Sequence, residues 1–116
     1  MALPEQILNN VEEKLGVYCF KKVPPELRRE VRLTYSVLGN TVTLFEETPV
    51  QNNLDRRSKL PLAQFRLNVV DHLWRLYYVR KSPQEGWGVY PHAEPTTDFE
   101  ALLAALDRDQ AGVFWA

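Results

Sequence analysis

The side chains best suited to nucleophilic or metal chemistry are few. The chain holds one cysteine and two histidines, Cys19, His72 and His92. None stands at Cys-x-x-Cys or His-x-x-x-His spacing, so no metal ligand set is expected. Asp107-Arg108-Asp109 with Gly112 has the opening of a calcium loop but lacks the later ligands and the closing Glu, and reads as helix-end acids beside a turn glycine. Cys19 lies on an apolar stripe and is expected as a buried, unreactive thiol. No Gly-x-Ser-x-Gly or phosphate-loop motif is present among five scattered glycines. No catalytic residue, metal or cofactor is expected.

One layout approaches metal-dependent nuclease chemistry. Such enzymes place an acid on one hairpin strand and an acid-x-Lys on the next. Here Glu46 is followed by Gln64-Phe65-Arg66, a degenerate version. An amide is a poor ligand for a hard cation, and a guanidinium stays protonated and cannot act as a base. Glu46 more simply ends a hairpin strand, paired to Arg28 or Arg66.

A basic hairpin is the better candidate. With any even turn length over Val70-Asp71, Arg66 falls directly opposite Arg75, and Gln64 opposite Tyr77. Two facing arginines repel by a few tenths of a kcal/mol unless an anion lies between them. Three sources are open: an internal carboxylate (Glu46, Glu47 or the acidic C-terminal helix), an acidic protein or peptide partner, or a nucleic acid. Tyr77 shares the face, with Trp87 or Tyr90 as candidate neighbours, and arginines interleaved with aromatics can stack bases and bind backbone. Arg56, Arg57 and Lys59 on the preceding segment extend the patch.

These side chains need elements to hold them. The 116 residues are 45% hydrophobic and 25% charged, in the range of one ordinary globular domain. Residues 4–21 predict a helix, with Ile7, Leu8, Val11, Leu15, Tyr18 and Cys19 on one stripe and Pro24-Pro25 to stop it. VRLTYSV and VTLFEE around Gly39-Asn40 predict a hairpin in which Val37 faces Val42, Tyr35 faces Leu44 and Arg32 pairs with Glu47. Phe45 then falls on the second sheet face, covered by the first helix or Trp115, or else exposed as a partner anchor. Residues 48–60 read as a long polar loop. LPLAQFRLN and LWRLYYV form a second hairpin, and WGVYP a fifth short strand. Thr97 with Glu100 reads as a capping box for a C-terminal helix striped by Phe99, Leu102, Leu103 and Leu106. Val113-Phe114-Trp115 is too apolar to dangle and is expected to dock. The fold class is α+β: a five-stranded antiparallel sheet of two hairpins and a short strand, with a helix at each end of the chain.

Charge separates along the chain. Residues 56–81 hold seven basic side chains against Asp71, while residues 82–116 hold Arg108 against six acids. The net charge of −1 gives no whole-protein basic field. No apolar run approaches the roughly 18–20 residues of a membrane helix, residues 1–15 lack the apolar core of a secretory signal, and a cytoplasmic location is expected.

The runs PPELRREVRLTYSVLGNTVTLFEETP, LAQFR, WRLYY and PTTDFEALLAALDRDQAGVFWA resemble a bacterial family described only as a domain of unknown function, DUF3024. Pro25, Arg32, Tyr35, Gly39, Phe65, Arg66, Trp74, Tyr77, Trp87, Asp107, Gly112, Phe114 and Trp115 are among the matching positions. RKSPQEGWGVYPH at 80–92 departs from the pattern in length and polarity. The resemblance implies a bacterial or bacteriophage origin and one domain, and supplies no activity, cofactor or catalytic residue.

The reading from sequence is a non-enzymatic binding or regulatory module, monomeric or homodimeric, that meets an acidic partner through Arg66, Arg75, Tyr77, Arg56, Arg57 and Lys59. The alternative is a nucleic-acid-binding protein or degenerate nuclease using the same surface.

Overall fold

The computed structural model describes residues 3–50, 53–80 and 83–115, with the side chains of 53–56 and 83 outside that description. Seven regular elements follow in order: α1 (Glu5–Lys22), β1 (Arg32–Leu38), β2 (Thr41–Val50), β3 (Asn53–Leu67), β4 (Trp74–Val79), β5 (Trp87–Val89) and α2 (Phe99–Arg108). The strands form one antiparallel sheet in sequential order β1-β2-β3-β4-β5. This is the expected α+β architecture.

The first hairpin turns on chemistry local to two residues. Gly39 takes φ 62° while Asn40 keeps a negative φ, the pattern of a type II′ turn, which matches the twist of the flanking strands. Asn40 also donates its side-chain amide to the Leu67 carbonyl at 2.6 Å and accepts from the Leu67 N–H at 3.0 Å, tying the turn to β3. The resulting register sets Val37 against Val42, Tyr35 against Leu44 and Leu33 against Glu46. The second hairpin pairs Phe65 with Leu76, Arg66 with Arg75 and Gln64 with Tyr77, as an even turn requires.

Both helices pack on one face of the sheet. Val42, Leu44, Ala63, Phe65 and Leu76 point there and are buried against Val11 and Leu15 of α1 and Phe99, Leu102 and Leu106 of α2. The Phe99 ring lies 4.8 Å from Phe65 and 5.1 Å from Trp74, centroid to centroid. Such aromatic contacts add about 0.5–1.5 kcal/mol each beyond the area they bury.

Two expectations about local structure are corrected. The long loop expected over 48–60 is strand at its described residues: Thr48–Val50 continue β2 and 53–60 belong to β3, while 51 and 52 lie outside the described residues. A register shift between Leu44 and Phe45 makes Leu62 an extra residue opposite the pair, and the hairpin runs on beyond the core. At the start of α2 the cap is Asp98, whose carboxylate accepts from the Glu100 N–H at 3.1 Å, rather than Thr97. Asp98 directly precedes the first helical residue, which puts its carboxylate, and not the Thr97 hydroxyl, beside the unpaired N–H groups of the first turn.

The C-terminal segment docks through Asp109. That residue ends α2 in the left-handed region, φ 41°. Its carboxylate accepts from the backbone N–H groups of Val113, Phe114 and Trp115. Burial works to raise the Asp109 pKa, and these bonds outweigh it and hold the carboxyl below its usual range. Phe114 is thereby seated in the core, 4.9 Å from Tyr90, and the Trp115 indole donates to the Leu106 carbonyl at 3.0 Å.

Candidate binding face

Because both helices share one side of the sheet, the other side has no helix over it. Alternation sends Thr43 and Phe45 of β2, Gln64 and Arg66 of β3, and Arg75 and Tyr77 of β4 to this second face. Val89 pairs with Tyr77, and Trp87 lies two residues along on the same side. Tyr90, the other aromatic considered from sequence, is buried in the core instead.

Arg66 and Arg75 do stand opposite one another, and their guanidinium groups part. Arg75 turns toward the loop and grips Asp71 with two bonds, 2.7 Å and 3.3 Å. Its guanidinium holds the Asp71 carboxyl below the usual carboxylate range, with help from the Leu73 N–H. Asp71 is placed by its turn: Asn68 accepts from the Val70 and Asp71 N–H groups, and His72 takes φ 59°. Arg66 turns toward Tyr77, with its guanidinium carbon 3.9 Å from the ring centroid. Its Nε donates to the Gln64 side-chain oxygen at 2.8 Å, and the Gln64 amide donates to Thr43 Oγ1 at 3.0 Å. A chain of Thr43, Gln64, Arg66 and Tyr77 thus holds one cation flat against the sheet.

The internal carboxylates named from sequence do not bridge the two arginines. Glu46 lies on the helix-packed side, lining the same cleft as Phe114 and Trp115. Neither expected partner of Glu46 reaches it: Arg28 donates to the Phe20 carbonyl and Arg66 is on the opposite face. Glu47 is on the open face but accepts from Thr34 Oγ1 at 2.8 Å and sits 3.8 Å from the Lys59 ammonium. The expected Arg32–Glu47 ion pair does not form either, although the two residues are in register; Arg32 donates to the Arg28 carbonyl.

The rest of the predicted patch separates. Lys59 stays near the face, its ammonium 4.9 Å from the Phe45 ring centroid. Phe45 is therefore covered by a cation rather than by α1 or Trp115. Arg57 serves as a strut: its Nη2 donates to the carbonyls of Arg28 and Arg29 at 3.5 and 3.2 Å, and its Nη1 is buried without a partner among the described residues. The Arg56 side chain lies outside the described residues.

The face thus carries one guanidinium stacked on a ring, Arg66, and one paired to a carboxylate, Arg75. Among the described residues, no three of His, Cys, Asp and Glu come together as a metal-ligand group. The degenerate nuclease layout does not converge, since Glu46 points away from Gln64 and Arg66. Burial pushes the Cys19 thiol up to about 11, which suppresses the thiolate. Among the described residues no helix is long and apolar enough to cross a membrane. Arg75 with Asp71, and Arg66 on Tyr77, are the features sequence reasoning missed. An acid in a turn between two strands carries no signal that it folds back onto the strand that follows.

No curated protein and no solved structure matches the chain at a significant level. The family of the domain of unknown function DUF3024 matches residues 3–116, and the chain belongs to that family.

Proposed function

We propose that this protein is a small non-enzymatic binding module whose helix-free sheet face takes an acidic protein or peptide segment. The observation that carries the reading is the stacked Arg66. Its ring platform and its bond to Gln64 fix the guanidinium before any partner arrives, and among the described residues Nη1 and Nη2 make no hydrogen bond and remain for an incoming carboxylate. Preorganisation of this kind lowers the entropic cost of binding, and a guanidinium matches a carboxylate with two parallel bonds. Lys59 beside Phe45 adds a second cation on the same face. The location, the source organism and the partner's identity follow the same reading: a bacterial, cytoplasmic protein acting through protein contacts.

A nucleic acid is the second reading, because a guanidinium laid flat on a tyrosine is also a surface on which a base can stack.

Backbone NMR shifts, followed while a glutamate-rich peptide is added, test the first reading. Shifts confined to the strands around Gln64, Arg66 and Tyr77 are expected. Shifts confined to α1 and α2, or none at millimolar peptide, overturn it.

A further inference from the structure

We propose that two copies of this chain pair through the outer edge of β1, antiparallel and centred on Tyr35, to make one continuous ten-stranded sheet. The proposal stands apart from the acidic-partner reading.

The edges of the sheet are unequal. β5 is three residues long and runs into Pro91, and β4 beyond it is capped by the Trp74–Thr96 bridge. β1 has seven residues, RLTYSVL, with no proline and no charge between positions 33 and 38. It therefore lacks the devices that usually blunt an edge.

Its backbone is presented in a defined pattern. A two-residue turn closes on a hydrogen-bonded pair, here Leu38 and Thr41, so alternate residues Leu38, Ser36 and Thr34 direct their backbone groups to β2. Those of Leu33, Tyr35 and Val37 point outward. Among the described residues, no backbone bond from turns or loops reaches them.

The side chains make this edge self-complementary. Antiparallel pairing about Tyr35 sets Leu33 against the partner's Val37 and Tyr35 against the partner's Tyr35 on the helix side. On the other side it sets Thr34 against the partner's Ser36. Apolar meets apolar and hydroxyl meets hydroxyl; the two-fold axis passes through the Tyr35 pair, and the Leu33–Val37 and Thr34–Ser36 pairs each occur twice. The same register lays the partner's Val37, opposite Leu33, at a groove of about 280 Å³ between α1 and the start of β1. Gly16, where an added Cβ would meet nothing within 4 Å, and Phe20, 65% exposed, line that groove. One arrangement thus accounts for the unpaired edge and for the open groove with its exposed Phe20.

Sedimentation velocity from about 5 to about 500 µM is the first test, read together with amide exchange by NMR. A species of twice the 13.5 kDa chain is expected, with the Leu33, Tyr35 and Val37 amides exchanging at least ~10-fold more slowly at the high concentration. T34K/S36K places lysines directly opposite lysines across the axis on the exposed side and is expected to be monomeric. Mixing it with T34E/S36E is expected to restore a dimer. A monomer throughout, or a dimer whose three outward amides exchange freely, overturns the proposal. Exchange on the unmodified chain decides the matter even if the charged variants fail to fold.

Discussion

Arg66 lies flat on Tyr77, its guanidinium carbon 3.9 Å from the ring centroid, although its direct neighbour across the ladder is Arg75. The diagonal contact solves a local electrostatic problem. Two guanidinium groups facing each other repel, so one is drawn to Asp71 at the end of the strand and the other to the ring. What remains is a single fixed cation on a sheet face that no helix covers.

The contact is expected to contribute modestly to folding. A cation over an aromatic ring at a solvent-facing site is worth about 0.5–1 kcal/mol, and Arg66→Ala also removes the repulsion with Arg75. The two effects oppose one another. Arg66→Ala should therefore leave stability within about 1 kcal/mol of the parent. A double-mutant cycle with Tyr77→Ala, measured by urea denaturation, should return a coupling of about 0.5–1 kcal/mol.

The Asp71–Arg75 pair gives a pH signature. The folded state holds the Asp71 carboxyl below its unfolded value. Its contribution is then fully present above the unfolded value, near 3.9, and is lost as pH falls through the lowered folded one. Asp71→Asn should lower the urea midpoint at pH 6, and the difference from the parent should shrink as pH drops below about 4. A difference that stays constant down to pH 2 contradicts the assignment.

Asp109 is the lock on the C-terminal segment. Its carboxylate takes three backbone N–H groups that would otherwise lack partners near the buried Phe114. Asp109→Ala removes these bonds and leaves at φ 41° a residue without the polar side chain that lets aspartate tolerate a left-handed backbone. A loss of about 1–3 kcal/mol is expected. Release of Trp115 from its bond to Leu106 should red-shift the tryptophan emission. Asp109→Asn keeps an acceptor and the tolerance for a left-handed backbone, and should lose less.

Much of this molecule was legible before its structure, and the failures have physical causes. The Gly39-Asn40 turn and the apolar alternation on either side suffice to specify the register down to Arg32 opposite Glu47. The even turn between β3 and β4 places Arg66 opposite Arg75 in the same way. Alternation is a signal only where one face is buried. The segment 48–60 carries no apolar stripe and looks like a loop, although 48–50 and 53–60 are strand. Register also says nothing of where a long side chain swings. Arg32 and Glu47 are in register yet take other partners, and Arg57 reaches carbonyls 28 and 29 residues away in the chain. Pairing of such flexible cations is decided by tertiary neighbours, and the sequence offers no local pattern for it.

The central claim is that Arg66 recognises an acidic partner on the open sheet face. Fluorescence anisotropy tests it most directly, using a labelled glutamate-rich peptide and labelled single- and double-stranded oligonucleotides at about 50 and about 200 mM salt. The peptide is predicted to bind, with affinity at least ~10-fold weaker for Arg66→Ala, a loss of about 1.4 kcal/mol. Failure of the peptide to bind at the lower salt, or equal binding by Arg66→Ala, contradicts the claim. Oligonucleotide binding that falls on the order of a thousandfold between the two salts, as about six phosphate contacts require, contradicts it in favour of a nucleic-acid partner.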